Sequence, residues 1–290
     1  MITFVFPGQG SQKRGMGQGL FDEVPEYVAV EKDVDGILGY SMRTLCLEDP
    51  ENRLKETQYT QPSLYVVNAL HYWKALAQGL RPDYVAGHSL GEYNALLAAG
   101  VFDFLTGLRL VKKRGELMAQ AKNGGMGAVI GLGAGAIAKV LEDNDLTSID
   151  VANFNTPSQT VVSGPVEDIR RAGPFFEQGG AQMYIPLQVS AAFHSRYMVG
   201  ASKQFADYLS PMSFSAPRIP IIANVTAQPY PAATASETVK SLLVDQITRS
   251  VQWSQSVRFL MNQGVTQFSE MGPGNVLTRM VQQIQQQKDH

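Results

Sequence analysis

Cysteine is all but missing from this 290-residue chain, in which Cys46 stands alone. No intramolecular disulfide framework and no cysteine-ligated zinc site can be built from it, and a reducing compartment is the natural setting. Charge is sparse and balanced: 24 Lys and Arg face 26 Asp and Glu, for a net charge of −2. That leaves no electrostatic footprint for wrapping nucleic acid, so any acidic or phosphorylated partner has to be met by a local patch. Nowhere do eighteen apolar residues follow one another, and residues 1–7 lack the charged start and long apolar stretch of a signal peptide. The expectation is a soluble, cytoplasmic protein with no membrane contact. What the chain does have is 44% apolar residues, with 27 Gly and 15 Pro spread along it. Such a chain can bury a real core as one large or two modest domains.

Short apolar runs bounded by Gly, Pro or Asn recur at residues 3–6, 84–86, 219–223 and 266–269, the pattern of buried parallel strands. Helical stretches lie between them at 63–77, 92–99, 103–121 and 237–250, several opened by Ser or Asp in a cap position. Alternating strand and helix implies an α/β core. After a Gly-rich start (Gly124, Gly125, Gly127), the order changes to strand 126–132, helix 134–141, strands 148–152 and 159–163, helix 166–178 and strand 182–186. That is the ferredoxin-like arrangement. The expected organisation is therefore a discontinuous α/β catalytic domain, residues 1–123 and 191–290, with a short, mainly parallel sheet flanked by helices and a hydrolase-like nucleophile elbow. A small ferredoxin-like subdomain, residues 124–190, is inserted into it, and the cleft falls at the junction. The Gln-rich tail after Met280 reads as a polar helix end that frays.

Gly87-His88-Ser89-Leu90-Gly91 matches G-x-S-x-G, with a strand-like run before it and a helix-like run after it. Both glycines suit a corner so tight that side chains two residues either side of Ser89 would collide. The first helical turn beyond it points unpaired N–H groups and the positive end of its dipole at a developing oxyanion, and the Leu90 N–H is the first such donor. A serine hydroxyl needs a base, and there are only four histidines. His71 sits mid-helix, His290 is the last residue, and the elbow directs the His88 ring away from the hydroxyl. His194 falls where the insertion rejoins the core, which makes it the candidate base.

On the 103–121 helix, Arg114 has Leu110 and Val111 one turn before it and Leu117 and Met118 one turn after, an apolar face, whereas Lys112 has Glu116 four residues on and faces solvent. A guanidinium among apolar side chains demands an anion, either an internal Asp or Glu or a substrate carboxylate. Gly131-Leu132-Gly133-Ala134-Gly135-Ala136, with Asp150 further on, formally satisfies a dinucleotide fingerprint. The hairpin-like turn at Asn155-Thr156-Pro157-Ser158 argues against it, because a Rossmann unit would continue into a crossover helix.

These residues resemble the malonyl-CoA:acyl carrier protein transacylase family over essentially the whole chain. The likeness is carried by Phe6-Pro7-Gly8-Gln9-Gly10-Ser11-Gln12, Gly87-His88-Ser89-Leu90-Gly91-Glu92, Arg114-Gly115, Ala192-Phe193-His194-Ser195 and Glu270-Met271-Gly272-Pro273-Gly274-Asn275-Val276-Leu277. Thr60-Gln61-Pro62, Asn155, Asn224-Val225-Thr226 and Gln246 are similar to further family positions around the cleft. The resemblance implies Ser89 as acyl-accepting nucleophile and His194 as its base, oriented by a backbone carbonyl near Gln246 in place of a triad aspartate. It implies an oxyanion hole from the Gln9 and Leu90 N–H groups, Arg114 as ligand of the malonyl carboxylate, and Gln61, His88, Phe193, Asn155 and Gln246 as further substrate-binding positions. The implied substrates are malonyl-CoA and a phosphopantetheinylated acyl carrier protein, in ping-pong transfer with no cofactor and no metal. Ala191-Ala192-Phe193-His194 resembles the malonyl-type pattern of polyketide acyltransferases, except that Ala191 stands where that pattern commonly has histidine. The placing of the outermost motifs leads to the expectation of a freestanding enzyme serving fatty-acid synthesis or acting in trans on a polyketide assembly line. Carrier docking would use a basic strip such as Arg109, Lys112 and Lys113, which can also be a merely solvated helix face.

The main rival is an α/β-hydrolase esterase or thioesterase, which would need Asp143, Asp145, Asp150 or Asp168 as its acid. A patatin-like Ser-Asp lipase fits less well, since Asp35-Gly36 precedes the serine. A non-catalytic carrier-docking module would have no use for Ser89 and His194.

Overall fold

The computed structural model describes residues 1–189, 191–231 and 236–287; Ser190, in the stretch leading to His194, and His290 lie outside the described residues. Four strands, β1 (Ile2–Phe6), β2 (Tyr84–Gly87), β7 (Ile221–Ile222) and β8 (Gln267–Glu270), form one sheet in the order β7-β2-β1-β8, parallel throughout. The period of two along these strands explains how both faces are covered. Phe4, Phe6, Val85 and Ile221 join an apolar core with the helices Thr57–Ala77 and Phe104–Ala119, while Val5, Ala86 and Ile222 pack on the other side with Trp253, Leu277 and Val281.

The second sheet holds β3 (Gly124–Ile130), β4 (Asp150–Thr156), β5 (Gln159–Pro165) and β6 (Met183–Pro186) in the order β4-β5-β3-β6, with every pairing antiparallel. Helices Ala134–Asp143 and Val166–Gln178 cover it and close a separate small core around Val129, Val162 and Phe176. This is the ferredoxin-like order expected of the insertion. Between β4 and β5 the turn is only Pro157-Ser158, with Asn155 and Thr156 still in the strand, so the expected four-residue turn and the early β4 are both corrected. The dinucleotide reading falls with that hairpin: the Gly131 N–H bonds the Ser158 carbonyl at 2.7 Å, and Asp150 is paired with Arg196.

Two further expectations are corrected. The helix expected at 63–77 runs from Thr57 to Ala77 with Pro62 inside it. Pro62 lacks only the N–H that would reach back one turn, and Thr60 helps hold that turn by donating to the Glu56 carbonyl at 3.0 Å. The tail does not fray at Met280, because Leu277, Val281 and Ile284 recur at helical spacing and are buried, which carries the helix Val276–Gln286 through its glutamines. No helix among the described residues is long and apolar enough to cross a membrane.

Candidate active site

Ser89 stands between β2 and the helix Gly91–Ala98 with φ of +50°. A left-handed serine is strained, and such strain persists only where its surroundings enforce it. Glycine is what lets the corner close. A Cβ on Gly87 would lie 1.9 Å from the Gly91 carbonyl carbon, and one on Gly91 would lie 1.9 Å from the Phe6 carbonyl oxygen of β1. Asn224 then clamps the turn: its Oδ1 accepts the Ser89 N–H at 2.7 Å and its Nδ2 donates to the Gly87 carbonyl at 2.6 Å. Asn224→Ala is expected to lower unfolding free energy by about 1–3 kcal/mol by orphaning these groups. Chemical denaturation measures this, and an unchanged midpoint would show that the elbow holds without this clamp.

The Ser89 Oγ lies 2.8 Å from Nε2 of His194, whose Nδ1 is 2.7 Å from the backbone carbonyl of Gln246. A carbonyl can only accept, so Nδ1 carries the ring proton and Nε2 offers its lone pair to the hydroxyl. Burial, reinforced by the positive charge of Arg114, draws His194 down to about 3, against the opposing pull of the Gln246 carbonyl. The imidazole is thus neutral through the physiological range. His194 also has positive φ, +55°, the second strained residue of the pair. The place of a triad acid at His194 Nδ1 is taken by the Gln246 carbonyl, and three of the four acids an esterase would call on are occupied elsewhere: Asp150 with Arg196, Asp143 with Lys139, and Asp168 with the Ser148 hydroxyl at 2.7 Å. His88 is turned away as expected, its Nε2 2.8 Å from Asn155 Oδ1 and its ring beside Trp253.

Arg114 projects from the helix Phe104–Ala119 and is 1% exposed. Its Nη1 donates to Gln61 Oε1 at 2.8 Å, and its Nη2 donates to Gln246 Oε1 at 2.9 Å and to Ser89 Oγ at 3.2 Å. Its guanidinium carbon lies 5.6 Å from the centroid of the Tyr93 ring, and Nε has no hydrogen-bond partner among the described residues. Every acceptor it meets among the described residues is neutral, so no internal acid among them caps this buried arginine. Burial pulls Arg114 below its ordinary value, opposed by Tyr93 and Glu92. A buried cation held by neutral oxygens beside a hydroxyl is suited to receiving an anion.

Ser89, His88, Leu90, Arg114, Gln61, Phe193, Asn155 and Gln9 all line one cavity of about 210 Å³. A larger cavity of about 490 Å³, with Lys55 and Arg170 on its wall, shares Gln9, Met126, Leu187 and Val189 with it. The N–H groups of Gln9 and Leu90 bond no acceptor among the described residues, and the Gln9 side chain reaches Thr57 at 3.4 Å. Gln246 is the exception to the expected substrate contacts: it is fully buried behind the cavity wall and acts on His194 and Arg114 from there. Of the basic strip, Lys112 donates to the Ile37 carbonyl at 2.8 Å and Lys113 lies over the Tyr208 ring, so both are tied to neighbouring helices. No group of three or more His, Cys, Asp or Glu side chains gathers as a metal site among the described residues.

Two functional neighbours had no local signal. Glu92, seen only as the last letter of the serine segment, is 1% exposed, and Tyr230 donates to its Oε1 at 2.7 Å. Burial pushes the Glu92 carboxyl up to about 7, while Tyr230, Gln246, the Asn224 N–H and Arg114 pull it down.

A hydroxyl at a nucleophile elbow, a neutral imidazole held by a carbonyl and free N–H groups alongside define a serine-dependent acyl-transfer site. Residues 3–290 match the acyl transferase domain family. The polyketide biosynthesis malonyl CoA-acyl carrier protein transacylase PksC of Bacillus subtilis is 53% identical, over 98% of this chain and 97% of its own length. The crystal structure of malonyl CoA-acyl carrier protein transacylase from Burkholderia pseudomallei is similar with a TM-score of 0.93 at 45% identity, covering 100% of this chain and 99% of that one. A malonyl-transacylase solved in complex with its type II polyketide synthase acyl-carrier protein, AntF, gives a TM-score of 0.91 at 35% identity, covering 98% and 92%. The chain belongs to the acyl transferase family, among the malonyl CoA-acyl carrier protein transacylases.

Proposed function

We propose that this protein moves a malonyl group from CoA to the phosphopantetheine thiol of an acyl carrier protein through an ester on Ser89, in polyketide assembly. The relatives' names support the substrates. The observation that carries the reading is Arg114, a buried guanidinium whose hydrogen-bond partners among the described residues are all neutral, 3.2 Å from the Ser89 hydroxyl. In the first half-reaction Ser89 Oγ attacks the thioester carbonyl as His194 Nε2 takes its proton. The oxyanion meets the Gln9 and Leu90 N–H groups, the C–S bond breaks, and His194 returns the proton to the departing thiolate. In the second half-reaction the carrier's thiol attacks the Ser89 ester, His194 takes the thiol proton and then delivers it to Oγ. Thioester is exchanged for thioester, so no external energy is needed.

Water is the competing acceptor, and the apolar wall of Leu90, Met118 and Phe193 favours its exclusion. We assign catalysis to the discontinuous part of the chain, residues 1–123 and 191–290, with the ferredoxin-like insertion, 124–190, as the other wall of the cleft, working in the cytoplasm. The bulk of Phe193 beside the site favours an unbranched malonyl group. Arg114→Ala is expected to reduce acylation by malonyl-CoA about 10- to 100-fold while changing acetyl-CoA little, because leaving a charged hydrogen-bonding partner unpaired costs about 1.5–3 kcal/mol. Intact mass after timed incubation with each thioester reads both rates. Equal losses would remove the carboxylate clamp from the mechanism.

A further inference from the structure

Gln246 joins the two halves of the site. Its backbone carbonyl holds His194 Nδ1 and its amide oxygen accepts from Arg114, while its amide nitrogen donates to the Ser89 carbonyl at 2.9 Å and to Glu92 Oε2. A primary amide fills the same space when reversed, so only its partners decide which way it points. Reversed here, an NH2 group would face the guanidinium, and an oxygen would face the Ser89 carbonyl and Glu92. All three hydrogen bonds would become contacts between like groups. The guanidinium at one end and the Glu92 carboxylate at the other both favour the same orientation, and such charge-assisted bonds outweigh the neutral one to the Ser89 carbonyl. Glu92 is itself fixed from the far side, where the Tyr230 hydroxyl donates to Oε1 at 2.7 Å and the Asn224 N–H donates to Oε1 at 3.3 Å, leaving Oε2 for Gln246.

We propose that Glu92 is a positioning residue for malonyl recognition, locking the Gln246 amide with its oxygen toward Arg114. The proposal rests on the reading of Arg114 as the carboxylate clamp. A carboxylate in direct contact with Arg114 would cap the fork and compete with the substrate. Standing one side chain further off, Glu92 steers the neutral acceptor that supports the guanidinium and leaves its charge for the incoming malonyl group. Glu92 touches neither the hydroxyl nor the imidazole, and of its partners Tyr230, Asn224 and Gln246 only Gln246 bonds Arg114, so its effect on the clamp runs through Gln246.

Glu92→Gln tests this with no change of volume. If the new amide keeps its oxygen toward Tyr230 and the Asn224 N–H, its NH2 meets the NH2 of Gln246 and forces that amide over; turned the other way, its NH2 meets the Asn224 N–H. The expected result is a loss of about 10- to 100-fold in kcat/KM for acylation by malonyl-CoA, carried mainly by KM, with acetyl-CoA changed by less than about threefold. In a Gln246→Ala background the same substitution should add less than about twofold, because the residue it acts through is gone. Equal losses on both thioesters, or the full loss in the Gln246→Ala background, would make Glu92 a packing residue and overturn the proposal. Arg114→Ala in the same assay separates the two ideas. If it loses malonyl selectively and Glu92→Gln does not, the positioning role falls and the clamp stands; if it loses both substrates equally, both fall. Should Glu92→Gln fail to fold by circular dichroism, Tyr230→Phe carries the test, since it removes the shorter of the two hydrogen bonds that fix Oε1 and leaves the carboxylate in place. A malonyl-selective loss there of about threefold or more supports the proposal, and an equal change on both thioesters overturns it.

Discussion

Ser89→Ala is expected to yield a folded protein that retains no malonyl label after incubation with malonyl-CoA, a loss of at least roughly 10⁴-fold in acyl-enzyme formation. Folding should survive because the bonds that shape the elbow are made by backbone: the Ser89 N–H to Asn224 and the Ser89 carbonyl to Gln246. The hydroxyl itself supplies only the contacts to His194 and Arg114. Their loss leaves two buried polar groups short of a partner, worth about 1–3 kcal/mol of stability. Alanine meets the same left-handed backbone as serine, so the strain at φ +50° is unchanged. Chemistry, by contrast, has no substitute: the neighbouring side chains are an imidazole turned to Asn155 and a buried leucine. Intact mass spectrometry gives the answer directly, and a variant still carrying one malonyl group would move the nucleophile elsewhere.

The parts of this site that were legible from the sequence are those whose physics is local. A strand, a Gly-flanked serine and a helix within fifteen residues announce an elbow, because the steric demand on Gly87 and Gly91 is set by the turn itself. Helical spacing placed Arg114 on an apolar face, and the order of short elements identified the antiparallel subdomain. Residues joined across the fold were not legible in this way. Asn224 clamps Ser89 from 135 positions away and the Gln246 side chain reaches it from 157, distances over which no periodicity speaks. Glu92 sat inside a recognised segment, yet its place in a helix that opens with a polar turn gave no sign that it is buried. The misplaced helix start at Ser63 has the same origin, since Pro62 reads locally as a boundary while burial of Thr57, Thr60 and Gln61, with Gly115 of the helix Phe104–Ala119 against that first turn, carries the helix back to Thr57. The family resemblance implied a carbonyl near Gln246 as the orienter of His194 and named Asn224 only as a position; the geometry added the Asn224 clamp on the elbow and the bond of the Gln246 amide to Arg114.

His194→Ala should slow acylation by about 10²- to 10⁴-fold, the usual worth of a positioned general base. The wild-type pH profile offers an independent check on the same residue. Because burial and Arg114 hold His194 down at about 3, its neutral, proton-accepting form persists far below the ordinary histidine range. Its contribution to the kcat/KM profile for acylation should therefore be flat from pH 8 to about pH 5, with loss only as the pH approaches 3. Glu92, raised to about 7, is the nearby group that can put a break inside that window. Measuring the profile in Glu92→Gln as well assigns any such break, and one near 6.5 that survives both that substitution and His88→Ala would mean that His194 titrates in its ordinary range. The stability consequence runs the same way. The unfolded chain takes up a proton on this histidine near 6.5 and the folded one only near 3, so between those values the unfolded state binds more protons and stability falls as the pH drops. His194→Ala removes that particular acid sensitivity. A variant that acylates at a near-normal rate would hand the base role to His88, and would require its ring to leave Asn155 and turn back toward the hydroxyl.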